Sequence, residues 1–238
     1  MATCFIVPIM IGSKHPFRYL LSALVLTLIL PPVLRYVAFP GGGKVGSVLM
    51  SALFIVLLLS ALPAVGSTRG RLIAAGSVAC LLLVLVTLHV FTGMQGPGIA
   101  FQLIMVLFLF YVVFVTFKYL FRKQRVTIDT INAALSVYLL LGVAWAFLYS
   151  LVDILEPRSF QSLYSDSPDF MRIGSEHSYC FYYSLVTLTT LGYGDIVPVS
   201  RVATMLAVLE AMTGQIYLVV LVGRLVGLHV AQDKSRSE

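Results

Sequence analysis

Thr189-Thr190-Leu191-Gly192-Tyr193-Gly194-Asp195 is the stretch on which the reading of this chain turns. Gly192 and Gly194 alternate with the large residues Leu191 and Tyr193, and glycine adopts either hand of backbone dihedral without steric cost. Such alternation lets consecutive carbonyls point the same way. A strip of carbonyl oxygens then replaces the water shell of a dehydrated cation. The segment leading in, Tyr179–Thr190, is too short to cross a bilayer alone. It is expected to form a short re-entrant helix, tolerable at membrane depth only when surrounded by protein or lining a water-filled cavity. The negative end of its dipole would favour a cation.

The residues around this loop exclude a soluble domain. Of 238 residues, 59% are hydrophobic and only 11% charged, with a mean hydropathy of +0.98. Such a composition predicts an all-α, polytopic membrane protein, because helices pair every backbone group within the span. Six spans of sufficient length are expected at Phe17–Val37, Val45–Leu62, Leu72–Phe91, Ile99–Phe117, Ile128–Val152 and Val202–Leu228. Pro31-Pro32 should kink or end the first. Turns are marked by Gly41-Gly42-Gly43 and by Gly93, Gly96, Pro97 and Gly98. Met1–Ile11 is apolar without a basic leader, and is read as a cytoplasmic or interfacial segment.

Charge sets the orientation. With both termini cytoplasmic, 11 of the 16 lysines and arginines fall inside and 5 outside, as the positive-inside rule requires. Asp153, Glu156, Asp166, Asp169, Glu176 and Asp195 then lie outside, and the loop opens outward. The net charge of +6 is explained by topology and needs no nucleic acid. Cys4, Cys80 and Cys180 fall in three different regions and are not expected to pair. The four histidines show no metal-ligand spacing, no nucleophile–base set is visible, and neither an enzyme nor a bound cofactor is expected.

On the T-T-L-G-Y-G-D string and the helix–loop–short helix–string–helix order, Ile128–His229 resembles the pore domain of the tetrameric potassium channel superfamily. The resemblance implies a homotetramer in the plasma membrane, each chain donating one loop, with K+ as the permeant ion. It implies that Thr190 binds ions through its hydroxyl and carbonyl, that Leu191, Gly192 and Tyr193 supply carbonyls, and that Gly194 and Asp195 shape the outer mouth. Thr189 precedes them as filter support. Relatives often carry two tryptophans in the pore helix where this chain has Tyr182-Tyr183, and Tyr182 becomes the expected hydrogen-bond partner of Asp195. Val186 stands where some relatives place a glutamate.

Gly214 lies where the family often has a hinge glycine; its other reading is close packing against the neighbouring pore helix. Aligned on it, Gln215, Leu218, Val222, Val226 and Val230 form one helical stripe, read either as cavity and hydrophobic gate or as core packing. Glu210 is an ionisable residue within a span and so a functional candidate. It lies about 140° around the helix from Gln215. It is therefore expected to brace the filter through Tyr or Thr side chains of the pore helix, the alternative being cation attraction in the cavity.

Ile99–Phe117 contains no lysine or arginine, which excludes an arginine-type voltage sensor; Lys118, Arg122, Lys123 and Arg125 follow at the cytoplasmic edge. The chain divides as 1–16, an N-terminal segment; 17–125, a four-helix domain without gating charges; 126–230, the pore domain; and 231–238, a short cytoplasmic tail. Asp153–His177 is read as a solvated outer loop. The leading reading is a potassium-selective channel. A weakly selective cation channel and a non-conducting membrane sensor are the alternatives.

Overall fold

A computed structural model describes residues 16–37, 69–122, 126–163, 170–172 and 179–237, with the backbone alone described at 16, 30–37, 69–75 and 229–237. They form six α-helices and two short strands: α1 (Pro16–Val37), α2 (Arg69–Thr92), α3 (Gln95–Arg122), α4 (Ile128–Leu155), β1 (Phe160–Ser162), α5 (Cys180–Leu188), β2 (Ile196–Pro198) and α6 (Arg201–Ser237). The spans Gln95–Arg122, Ile128–Leu155 and Arg201–Leu228 are long and apolar enough to cross a membrane, and Phe17–Ile29 and Gly76–Thr92 are shorter apolar helices. The expected span Val45–Leu62 lies outside the described residues.

The central helix is α4. Thr127 caps it by accepting a hydrogen bond from the Thr130 amide at 3.2 Å, and Asp129 sits in its first turn, where the helix dipole favours a negative charge. It ends at Glu156, immediately before Pro157, as the steric conflict between proline and a preceding helical residue dictates. On one side α4 packs against α1 and α3 through Ala133, Val137, Leu140 and Phe147, which meet Phe17, Leu20, Met105 and Leu109 in one buried cluster. On the other it carries α5 and α6. Small residues such as Ala134, Gly142, Ala144 and Ala146 let these neighbours approach closely.

Several expectations are corrected. Helix α1 does not end at Pro31-Pro32 but runs to Val37; helices at membrane depth accommodate the lost amide bonds through neighbouring groups. The turn marked by glycines is tighter than expected. Gly93, in the left-handed region at φ 70°, closes α2 by donating its amide to His89 O at 3.0 Å, and α3 begins at Gln95. Gly96, Pro97 and Gly98 thus lie in the first turn of α3, where a proline forfeits no hydrogen bond.

The fold is mostly helical, as expected of an all-α protein, with one short strand pair among the described residues. Strands β1 and β2 pair antiparallel with Phe160 opposite Pro198, Gln161 opposite Val197 and Ser162 opposite Ile196. Part of the supposed solvated loop is therefore fixed to the segment after Asp195. Within that loop Asp153 is buried in the last turn of α4, 3.7 Å from Arg172 Nε; Asp166, Asp169 and Glu176 lie outside the described residues. Finally, residues 231–237 continue α6 as helix.

Candidate functional site: the glycine loop and its cradle

Helix α5 is nine residues long, and its C-terminal end builds the site. The Thr190 amide donates to Thr187 O and the Leu191 amide to Val186 O, each at 2.9 Å. These paired bonds close a helix in the Schellman manner, with Thr189 as C-cap and the next residue left-handed. Glycine usually fills that next position. Here it is Thr190, at φ 58°, and a β-branched residue held there costs about 1–2 kcal/mol.

The chain then alternates. Thr190, Gly192 and Gly194 have φ of 58°, 58° and 76°, whereas Leu191 and Tyr193 between them do not enter the left-handed region. A backbone that changes hand at each residue turns successive peptide dipoles toward one side. The loop lies open on this single chain: Leu191 is 56% and Tyr193 65% exposed.

Side chains hold both ends of the loop. At one end the Thr190 hydroxyl donates to Thr189 O at 2.7 Å and accepts from Gln215 Nε2 at 3.1 Å. At the other, the Tyr182 hydroxyl donates to Asp195 Oδ2 at 2.5 Å, and Asp195 Oδ1 accepts the Ile196 amide at 3.0 Å. Tyr182 also stacks on Tyr193, with ring planes 8° apart and centroids 6.5 Å apart.

Helix α5 sits between two glycines. A Cβ at Gly142 of α4 would come within 2.8 Å of Leu185 Cδ2, and one at Gly214 of α6 would collide with the backbone oxygen of Leu188. That oxygen also accepts from Tyr138 of α4 at 3.3 Å. Gly214 is thus a close-packing site in a helix that passes through it without interruption. Gly142 was not singled out from sequence, where it is one of several small residues in α4.

Residues 126–229 match the family model for ion channels. The matched stretch takes in α4, the two strands, α5, the loop and α6 as far as residue 229. No curated protein and no solved structure matches the chain.

Within the matched stretch Glu210 is completely buried. It accepts from the Ser184 hydroxyl of α5 and the Tyr149 hydroxyl of α4, each at 2.5 Å. Its partner on α5 is a serine, and the tyrosine comes from α4, not from α5 as expected. The reason is geometric: α6 presents Glu210 to the crevice where α4 and α5 meet, so one residue from each reaches it. Tyr183 meets Tyr149 in a T-shaped ring pair instead, at 5.0 Å between centroids.

The stripe on α6 divides. Gln215, Val222 and Val226 are exposed on the single chain, Leu218 is half-buried against the core, and the side chain of Val230 lies outside the described residues. The opposite face, with Ala203, Glu210, Gly214, Tyr217 and Leu221, is the buried one. Between the two parts of the chain, Arg224 donates to the backbone oxygens of Leu120 and Phe121, the latter at 2.8 Å, and its guanidinium lies 4.5 Å from the Phe121 ring centroid. It thereby satisfies carbonyls at the end of α3 that have no partner within that helix.

Proposed function

We propose that this chain is the subunit of a homotetrameric, potassium-selective channel of the plasma membrane, with six spanning helices and both termini cytoplasmic. The observation that carries the reading is the alternating hand at Thr190, Gly192 and Gly194 within the stretch that matches the ion-channel family model. It supports a column of oxygens from Thr190, Leu191, Gly192 and Tyr193, with the Thr190 hydroxyl at its inner end. Four such columns form rings that replace the hydration shell of K+. Ions advance by repulsion between neighbouring sites, passively down their electrochemical gradient.

A loop open on one side surrounds nothing, so closure takes further copies of the chain, related by cyclic symmetry. The unpartnered apolar face of α6, including Met205, Val208, Met212 and Ile216, supplies contact surface for them. Gln215, Val222 and Val226 then line the path below the filter, and Tyr182, Asp195 and Glu210 support the filter from outside it. Lys118 and Arg122, the only cations of α3, lie in its last turns. They are too few and too peripheral to make opening steeply voltage-dependent.

Single-channel recording in bilayers under opposed potassium and sodium gradients tests this. A reversal potential that follows potassium is the expected result. Equal permeability to sodium would replace the reading with a weakly selective cation channel, and an assembled protein without current would leave a membrane sensor.

A further inference from the structure

The filter exit is held from a second direction, by a strand that the ion path never touches. Phe160 of β1 is buried and sits edge-on to both Tyr149 and Tyr183, at 5.6 and 5.3 Å between ring centroids. Those two tyrosines meet each other edge-on as well, so the three rings form a closed triad. T-shaped pairing constrains orientation as well as burial, because a ring edge is favoured against a negative ring face. One corner of the triad, Tyr149, is the hydroxyl that holds Glu210 of α6. From the other side of the same residue, the backbone of β1 pairs with β2, which begins one residue after Asp195.

The ladder continues past the strands. The Leu163 amide donates to Asp195 O at 2.9 Å, and the Val199 amide donates to Ser159 O at 2.8 Å. Asp195 is therefore held twice, by Tyr182 on its carboxylate and by Leu163 on its backbone oxygen. An unbroken series of contacts runs from Glu210 through Tyr149 and Phe160 to β1, Leu163 and Asp195.

We propose that Phe160 is a positioning residue for ion selection: seated in the Tyr149–Tyr183 notch, it anchors β1, which in turn fixes Asp195 and the exit of the filter relative to Glu210. The proposal rests on the reading of the loop as a filter, and it assigns part of the outer segment to filter control. Raising potassium and holding β1 in place should act on the same loop, since both order the backbone at Gly194 and Asp195.

The test uses the full chain in lipid nanodiscs and in planar bilayers. Phe160→Leu removes both ring edges. Leu163→Pro removes the amide that reaches Asp195, at a position whose side chain is 83% exposed, and Leu163→Ala keeps that amide as control. Hydrogen exchange over residues 190–200 should quicken about tenfold in Phe160→Leu and in Leu163→Pro, with α4 unchanged. Exchanging sodium for potassium should slow it in the parent and in Leu163→Ala more than in either variant. In bilayers the two variants should lose current faster at low external potassium. Parent-like exchange over residues 190–200 in Leu163→Pro would overturn the proposal even if the parent conducts potassium selectively. A parent that passes no potassium, with the exchange effect intact, would overturn the filter reading and leave the anchoring of Asp195 by β1 standing.

Discussion

Gly214 of α6 lies directly against the backbone oxygen of Leu188, the last residue of α5. The contact leaves no space for a methyl group, and that oxygen is backbone, which cannot swing aside as a side chain would. Gly214→Ala should therefore push α6 away from the filter base, at the roughly 1–3 kcal/mol typical of overpacking. If the chain assembles as proposed, the tetramer should dissociate at lower temperature in mild detergent. A variant that keeps the thermal stability of the parent while opening less often would instead make Gly214 a hinge. Gly142→Ala meets only the end of the Leu185 side chain and should cost less.

Glu210 joins three helices through two hydroxyls. Glu210→Leu leaves the Tyr149 hydroxyl buried without its acceptor, at about 1–3 kcal/mol, whereas Glu210→Gln keeps an oxygen for one of the two donors. Thermal unfolding should rank parent, Gln and Leu in descending order. Tyr149→Phe combined with Glu210→Leu should cost less than the sum of the separate changes, as groups in one network do. Strict additivity in that cycle, or unaltered open probability and selectivity in Glu210→Gln, would remove the carboxylate from the support of the filter.

Thr190 occupies a left-handed position that glycine would fill without strain. Thr190→Gly should relieve about 1 kcal/mol of it, offset by added chain entropy in the unfolded state. It should nevertheless lower potassium conductance and selectivity, because the hydroxyl that accepts from Gln215 is gone. Thr190→Ser retains the hydroxyl and should conduct much as the parent does. Paired measurements of unfolding temperature and reversal potential separate the two contributions; a selective Thr190→Gly channel would show that the hydroxyl is dispensable.

Arg224 is the side chain by which α6 grips the end of α3. Its bonds to Leu120 and Phe121 use a planar fork of donors that lysine lacks. Arg224→Ala should release α3 and change open probability several-fold, consistent with about 1–2 kcal/mol for hydrogen bonds from a charged, partly exposed donor. Arg224→Lys should resemble Ala more than the parent. Unit conductance and reversal potential should stay fixed in both, since neither residue approaches the filter.

The parts of the site readable from sequence are those set by spacing along one element. Tyr182 and Asp195 lie thirteen positions apart, a span consistent with one short helix, its cap and a loop turning back beside it. Angle alone placed Glu210 and Gln215 on different faces of α6. The remainder depends on partners far apart in the chain. Tyr149 and Glu210 are 61 residues apart, and nothing in the local pattern of α4 distinguishes Tyr149 from a lipid-facing aromatic. Strands β1 and β2, three residues each, are too short for a period-two pattern to register. Pro31-Pro32 left a kink and an end both open from sequence, and α1 continues through it to Val37.

The length of α6 has a mechanical consequence. Its 37 residues form a rod of about 55 Å at 1.5 Å per residue, against a hydrocarbon layer of about 30 Å. Gly214, pressed on Leu188, is a natural fulcrum, and the arm from there to Ser237 measures about 35 Å. A tilt of about 10° around that point carries the far end through roughly 6 Å while the contact at the filter base hardly moves. Leverage of this kind lets a small force at the far end of the rod displace it widely while the contact between Gly214 and Leu188 stays in place.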